Sequence, residues 1–211
     1  MKTYTIDQLI KVAIALTAEK DLKTLMDLIV CEAMEISNCD GGTLYIKDGN
    51  VLQFESMFTK SKGILKSTFN SEKRLPPVPI SADYVSGRCA LNAERINIDN
   101  IYESDAFDFS GTKRYDEMNN YRTESMLVLP MEDEKGKVIG VLQLINAQDE
   151  DGNIIPFGQE NENLIFALSS LAAVALNNHQ LSDQISDMLH SFVKVMITAI
   201  EARSKYNSNH T

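Results

Sequence analysis

Apolar side chains recur at helical spacing from Ile6 through Leu9, Ile10 and Ala13 to Leu16, after a candidate N-cap at Thr5. A second stripe of Leu22, Leu25, Met26, Ile29, Ala33 and Ile36 predicts another helix, which the Gly41–Gly42 pair brings to an end. The period then shortens to that of strands. "TLYI" and "VLQFESMF" flank "KDGN", and the Asp-Gly in that turn predicts a hairpin. Residues 59–79 read as loop, with Pro76, Pro77 and Pro79 blocking any helix. A short helix from Ala82 to about Leu91 and a strand "RINI" lead into a polar connection dotted with aromatic residues, "DNIYESDAFDFSGTKRYDEMNNYRTE". So long a connection inside a compact domain is usually functional.

The strongest hairpin signal follows: "SMLVLPM", a charged turn "EDEKGK", and "VIGVLQLIN". Arms this apolar belong in the middle of a sheet. From about Gln159 the pattern is helical to Ala202, a length of ~65 Å at 1.5 Å per residue. Leu164, Ala167, Leu171, Val174, Asn178, Leu181, Ile185, Met188, Phe192, Val195 and Ala199 alternate spacings of three and four, which is a heptad seam. Packing of this helix on its own domain accounts for part of the first half. The second half predicts parallel self-association, a homodimer through the terminal helices. Asn178 falls at an a position, where one buried amide can fix register and strand number.

Composition narrows the classes. The 211 residues allow one ordinary domain plus an extra element, and 44% apolar with 24% charged residues are globular values. A net charge of −10 argues against a nucleic-acid partner, because duplex binding rests on Lys and Arg against phosphates. The basic stretches "KSKGILK" and "EKRL" read as solvated loop. "MKTYTIDQLIKV" lacks the apolar core of a signal peptide, and "LIFALSSLAAVAL", 13 residues long, falls short of a membrane span. Cys31, Cys39 and Cys89 are odd in number and contain no CxxC, which fits a reducing cytoplasm rather than a disulfide or zinc framework.

The order of elements and the residues "YRTESMLVLPMEDEKGKVIGVLQLIN" and "ALTAEKDLKTLMDLIVCEAMEISNCDGGTLYIKDG" resemble those of a GAF domain, over about Asp7 to Leu181. The resemblance implies an α+β fold: a twisted antiparallel sheet, helices on one face, and a ligand site on the other beneath the long connection. Cyclic-nucleotide-binding members of the family carry Asn-Lys, then Phe, then Asp-Glu. The matching positions here are Asn146, Ala147, Phe157, Asn161 and Glu162, so the lysine and the aspartate are both missing. Losing both partners of an ion pair leaves no stranded charge. The fold is expected without that bridge, and cyclic AMP or cyclic GMP is disfavoured as ligand.

The tail "LHSFVKVMITAIEARSKYNSNHT" resembles the opening of an HD-GYP domain, a metal-dependent phosphohydrolase that degrades cyclic di-GMP in bacteria. His210 matches its first metal-ligating histidine, although Asn209 stands where glycine is usual. The expected organisation is a sensory domain over residues 1–181. A signalling helix and the start of a truncated phosphohydrolase would follow over 182–211, and the complete parent would be a cyclic-nucleotide or cyclic di-GMP phosphodiesterase.

The expected module is itself non-catalytic, with no cofactor and no metal of its own; its partners would be an unidentified small molecule and a second copy. The alternative is a ligand-free dimerisation scaffold. Candidate ligand contacts lie in the long connection. Tyr102, Phe107, Phe109 and Tyr115 would form the walls, and Asp116, Arg122 and Thr123 the polar anchors. Phe107 and Phe109 read equally well as core plugs. His179 and His190 lie eleven residues apart on one helix, ~16 Å along its axis, too far for one metal. Cys89 beside Arg88 is a candidate low-pKa thiol, although the three cysteines do not gather around one predicted site. "YDEM", with Asp116 and Glu117, reads as a polar helix face rather than an acid–base pair.

Overall fold

The computed structural model describes residues 6–67 and 75–208, with side chains described over 9–64 and 75–198. Thr5, Asn209 and His210 therefore lie outside the described residues, as does the side chain of Ala199.

Two helices come first, α1 (Ile6–Ala18) and α2 (Leu22–Ser37). Asp21 caps α2 by accepting a hydrogen bond from the Thr24 amide at 2.8 Å, and Asn38 closes it in the left-handed region at φ 47°. Strand β1 (Cys39–Asp48) then starts before the glycine pair expected to end the helical region. Gly41 and Gly42 are in the strand because close neighbours leave no room for a side chain. A Cβ at Gly42 would lie 2.7 Å from Val30 of α2, and one at Gly41 2.7 Å from Ile145.

Strand β2 (Val51–Thr59) completes the first hairpin and leads through a 3-10 turn at Lys60–Lys62. The span expected to be loop also holds two short edge strands, β3 (Ile64–Ser67) and β4 (Val78–Pro79), both paired with β2. A lysine and a proline disguise them in the sequence, yet both residue types suit an edge, where one side of the ladder is unpaired. Helix α3 (Val85–Asn92), strand β5 (Ile96–Ile98) and helix α4 (Ser110–Asn119) follow. The central hairpin is β6 (Met126–Glu132) and β7 (Val138–Gln148), with a short β8 (Ile154–Ile155) paired to its end. Helix α5 runs over Gln159–Ser208.

All pairings are antiparallel, in the order β3-β2-β1-β7-β6-β5. This is the expected α+β architecture. One face of the sheet packs on α2, as Gly42 against Val30 and Met34 shows. On the other face α3 contributes Val85, Cys89 and Ala90 to a cluster with Tyr45, Val141, Val128 and Phe109.

The chain divides into two compact units, Met1–Ala175 and Leu176–Thr211. Within the first, α5 buries Ile165, Leu168, Ala172 and Ala175. These positions differ from the predicted seam: Leu171 is only half-buried, and Val174 is 50% exposed. In the second unit, Asn178, Leu181, Ile185, Met188, Phe192 and Val195 are all exposed. The seam is thus an apolar stripe without a cover among the described residues. The same apolar content makes α5 long and apolar enough on composition to cross a membrane. Its best 18-residue window has a mean hydropathy of 1.2, with 39% of that window buried in the protein. The 13-residue stretch singled out in the sequence is therefore an underestimate, because it ends at Leu176, before Leu181, Ile185 and the later apolar seam residues.

Candidate functional site

Register fixes what faces what. One cross-strand row runs Met57–Thr43–Gln143–Val128–Ile96 over β2, β1, β7, β6 and β5. The next runs Thr59–Gly41–Ile145–Met126–Ile98. Side chains two apart on a strand share a face, and Tyr45 and Val141 belong to the cluster built with α3. Both rows therefore lie on the face covered by α3 and α4. Helix α3 stands at one side of the rows, where Ser86 donates from Oγ to Gln143 Oε1 at 2.8 Å. Helix α4 stands at the other, where the Tyr115 hydroxyl lies 2.9 Å from Thr59 Oγ1.

Strand β7 is central, so side chains on a fully covered face should be buried. Yet Gln143 and Ile145 are only half-buried, whereas Val141, Leu142 and Leu144 are fully buried. The covering layer leaves access to the middle of the sheet, between Ser86 and Tyr115. The Thr43 hydroxyl, on the residue paired with Gln143, makes no hydrogen bond among the described residues. The half-buried part of this floor therefore offers the Gln143 amide, with spare hydrogen-bonding capacity, and the apolar Ile145, with Thr43 and Met57 buried beside them. Gln143 and Ser86 were missed in the sequence. The signal was present: one glutamine in the otherwise apolar run "GVLQLI".

The residues predicted as ligand contacts separate into three groups. Tyr115 stands beside the floor, with its ring edge-on to Tyr121 at 6.3 Å. Phe109 is 4% exposed within the α3 cluster, and Phe107 packs against that cluster beneath Arg88, as the plug alternative expects. Asp116, Thr123, Tyr102 and Arg122 do come together, but around each other. Asp116 is buried and accepts from the Thr123 amide and hydroxyl, each at 2.8 Å, and from the Tyr102 hydroxyl at 3.0 Å. Arg122 stacks on the exposed Tyr102 ring at 4.0 Å and donates to Glu124. Partial burial, followed by the Asp116 carboxylate, pushes the Tyr102 hydroxyl pKa upward. These contacts staple α4 to the chain entering β6.

A second staple lies beside the first. Asn146, buried and at φ 57°, accepts the Glu124 amide at 2.7 Å and donates to Arg122 O at 2.7 Å and to Tyr121 Oη at 2.9 Å. The Tyr121 hydroxyl donates in turn to Asp40 at 2.8 Å, and Asp40 also accepts from the Ser61 amide and hydroxyl. Burial and the Asp40 carboxylate push the Tyr121 pKa far up. At the other motif positions, Phe157 is buried, and Glu162 accepts from Asn97 at 3.3 Å and faces Arg95 at 4.0 Å. Glu162 thus links β5 to α5 without the missing lysine and aspartate.

The thiols are placed for packing. Burial raises Cys39 to about 11 and pushes Cys89 well above its ordinary value, with Glu94 and Glu132 adding to the latter. Arg88, expected to lower it, is instead bound to Glu94 at 2.7 Å. Cys31 is exposed, its thiol pushed up by partial burial and by Asp27 and Glu32. His190 is exposed, and His179 is half-buried with Nδ1 3.2 Å from Asp183. Among the described residues no group of His, Cys, Asp and Glu is arranged to hold a metal. A separate groove of about 480 Å³ lies between α2 and the β2–β3 edge, lined by Cys31, Met34, Phe58, Lys60 and Ile64 among others.

This two-sided sheet with an accessible middle defines a small-molecule-sensing regulatory fold. The GAF domain model matches residues 21–176, and the chain belongs to the GAF domain family. It is similar to the dual 3',5'-cyclic-AMP and -GMP phosphodiesterase 11 of Drosophila melanogaster, with 26% identity over 193 residues, 90% of this chain and 12% of that protein. The dual 3',5'-cyclic-AMP and -GMP phosphodiesterase 11A of Takifugu rubripes is 28% identical over 97 residues, 46% of this chain and 10% of that protein. The chain thus spans only 12% and 10% of the length of these curated relatives. Among solved structures, the GAF domain of Acinetobacter phosphoenolpyruvate-protein phosphotransferase superposes with a TM-score of 0.64 at 16% identity. That superposition covers 87% of this chain and 99% of the other.

Proposed function

We propose that the chain is a sensor that binds a small molecule over Thr43, Gln143 and Ile145, between Ser86 and Tyr115. It dimerises through its terminal helices and controls a C-terminal, metal-dependent phosphohydrolase of the cyclic di-GMP type. The observation that carries the sensing step is the half-buried pair Gln143 and Ile145 on a central strand. Dimerisation is supported by the exposed stripe from Val174 to Val195. Control of a phosphohydrolase is supported by the sequence of the tail, and by curated relatives that are themselves cyclic-nucleotide phosphodiesterases. The missing lysine and aspartate still speak against cyclic AMP or cyclic GMP as the ligand here. The protein would act in the cytoplasm.

A ligand could drive the output only by binding more tightly to one helix arrangement than to another. Thermal-shift screening of metabolites, followed by hydrogen exchange with the best one, tests the reading. Protection is expected from Ile98 to Thr123 and at the strand carrying Gln143. Protection confined to the groove beside Cys31 would place the site elsewhere. The ligand-free scaffold is the second reading, favoured by Phe109 sitting in the core cluster. It predicts no stabilisation by any metabolite.

A further inference from the structure

Helix α2 carries more negative charge toward its C-terminal end than its neighbours answer. Asp27, Glu32 and Glu35 follow one another there, and the last turn holds no basic residue. The aligned peptide dipoles add partial negative charge at the same end, where cations are favoured. Asp27 is engaged, accepting from the Ser56 hydroxyl at 2.5 Å. Lys60 reaches Glu35 at 3.9 Å from the turn after β2. Glu32 is half-buried and has neither a hydrogen bond nor an ion pair among the described residues. Burial, and then Glu35, push its carboxyl pKa upward.

This carboxylate lines the groove between α2 and the β2–β3 edge, whose volume of about 480 Å³ is that of a small-molecule site. Gly42 of β1 faces Val30 and Met34 of α2, and Phe58 pairs with Gly42. The groove is therefore on the α2 side of the sheet, opposite α3 and α4. Met34, Phe58 and Ile64 make its apolar part, and Phe58 and Ile64 are only half-buried, so a ligand can reach them. The charged lining residues are Glu32, Glu35 and Lys60, a net negative set in which the lysine is already taken by Glu35. The Cys31 thiol on the same rim keeps its proton, because burial, Asp27 and Glu32 all raise its pKa. An anion entering here would be repelled, and a neutral molecule would leave Glu32 unanswered. A cation with an apolar body meets both parts of the wall and relieves the repulsion between Glu32 and Glu35.

We infer that this groove is a second binding site, and that it takes a small organic monocation: an alkyl- or arylammonium with its charge at Glu32 and its apolar body against Phe58. The inference stands apart from the sheet-face reading and needs no ligand there. An aromatic ring beside the ammonium adds a favourable cation–π contact.

The test follows backbone amide signals of the ¹⁵N-labelled 211-residue chain during titration with probes that share one ring. They are 2-phenylethylammonium, the uncharged 2-phenylethanol and the anion 3-phenylpropanoate. The ammonium should shift amides of residues 31–35 and 58–64. The alcohol should bind on the order of 10-fold more weakly, and the carboxylate not at all. Glu32→Gln keeps the shape of the side chain and removes its charge, so it should fold and bring the ammonium down to the affinity of the alcohol. Phe58→Leu, checked for native melting, should weaken both. Equal binding of ammonium and alcohol, or an unchanged preference in Glu32→Gln, would overturn the role of Glu32. Shifts confined to Thr43, Gln143 and Ile145 would overturn the groove as the site, and so would an ammonium that moves no amide at all.

Discussion

Replacing Asn146 with alanine tests the staple that holds the α4–β6 connection. The side chain is buried and satisfies two backbone groups, the Glu124 amide at 2.7 Å and the Arg122 carbonyl at 2.7 Å, as well as the Tyr121 hydroxyl at 2.9 Å. Each backbone group left without a partner costs about 1–2 kcal/mol at a partly buried site. Alanine at φ 57° adds roughly 1 kcal/mol of backbone strain. The expected loss is about 3–5 kcal/mol, or roughly 6–20 °C in Tm for a chain of this size. Asn146→Gly should lose about 1 kcal/mol less, because glycine adopts positive φ freely. The assay is urea unfolding at one fixed protein concentration, since self-association would shift apparent stability. A loss under 1 kcal/mol for the alanine variant, or no difference between alanine and glycine, would refute the reasoning.

Three further outcomes are expected. The chain should be a dimer by light scattering at ~100 µM, truncation after Asn177 should weaken it, and Asn178→Leu should raise stability while loosening oligomer choice; a monomer at that concentration ends the idea. In native protein only Cys31 should react rapidly with a thiol reagent at pH 8, with Cys39 and Cys89 reacting only on unfolding. Stability should fall as pH rises from about 9 towards 11, because the unfolded Cys39 thiol ionises near 9 while the folded one holds its proton to about 11; a flat profile over that window contradicts it. Metal-loaded chain should not hydrolyse cyclic di-GMP, and measurable turnover would overturn the assignment of a purely regulatory role.

The parts legible in the sequence were those with a local period. The helical stripes of α2 and α5 and the two apolar arms of β6 and β7 announce themselves over windows of seven or more residues. Strands β3 and β4 are four and two residues long and sit at an edge, too short for either to show an alternation. Helix α4 showed only as the polar helix face at "YDEM", because Asp116 alone along it is fully buried and the apolar periodicity that would give its bounds is missing. The polar staples were illegible for another reason. Tyr121 and Asp40 are 81 residues apart, and no local pattern records that pairing.

Two polar residues interrupt the apolar strand "GVLQLIN", and their meanings are opposite. Asn146 has its side-chain oxygen and nitrogen both engaged, adopts a backbone conformation that asparagine tolerates, and is 1% exposed. Its side chain is used up in holding the fold. Gln143, three residues earlier, has one bond and retains solvent access. The same distinction applies in the connecting segment. Asp116 and Thr123 were attractive as ligand anchors because they are polar and close in sequence, but their hydrogen bonds are spent on each other and on Tyr102. A ligand that recruited Asp116 would first have to break three bonds to a buried carboxylate, and only a group replacing all three could compensate. On this ground Asp116 and Thr123 hold the connection together, while Gln143 keeps hydrogen-bonding capacity unused.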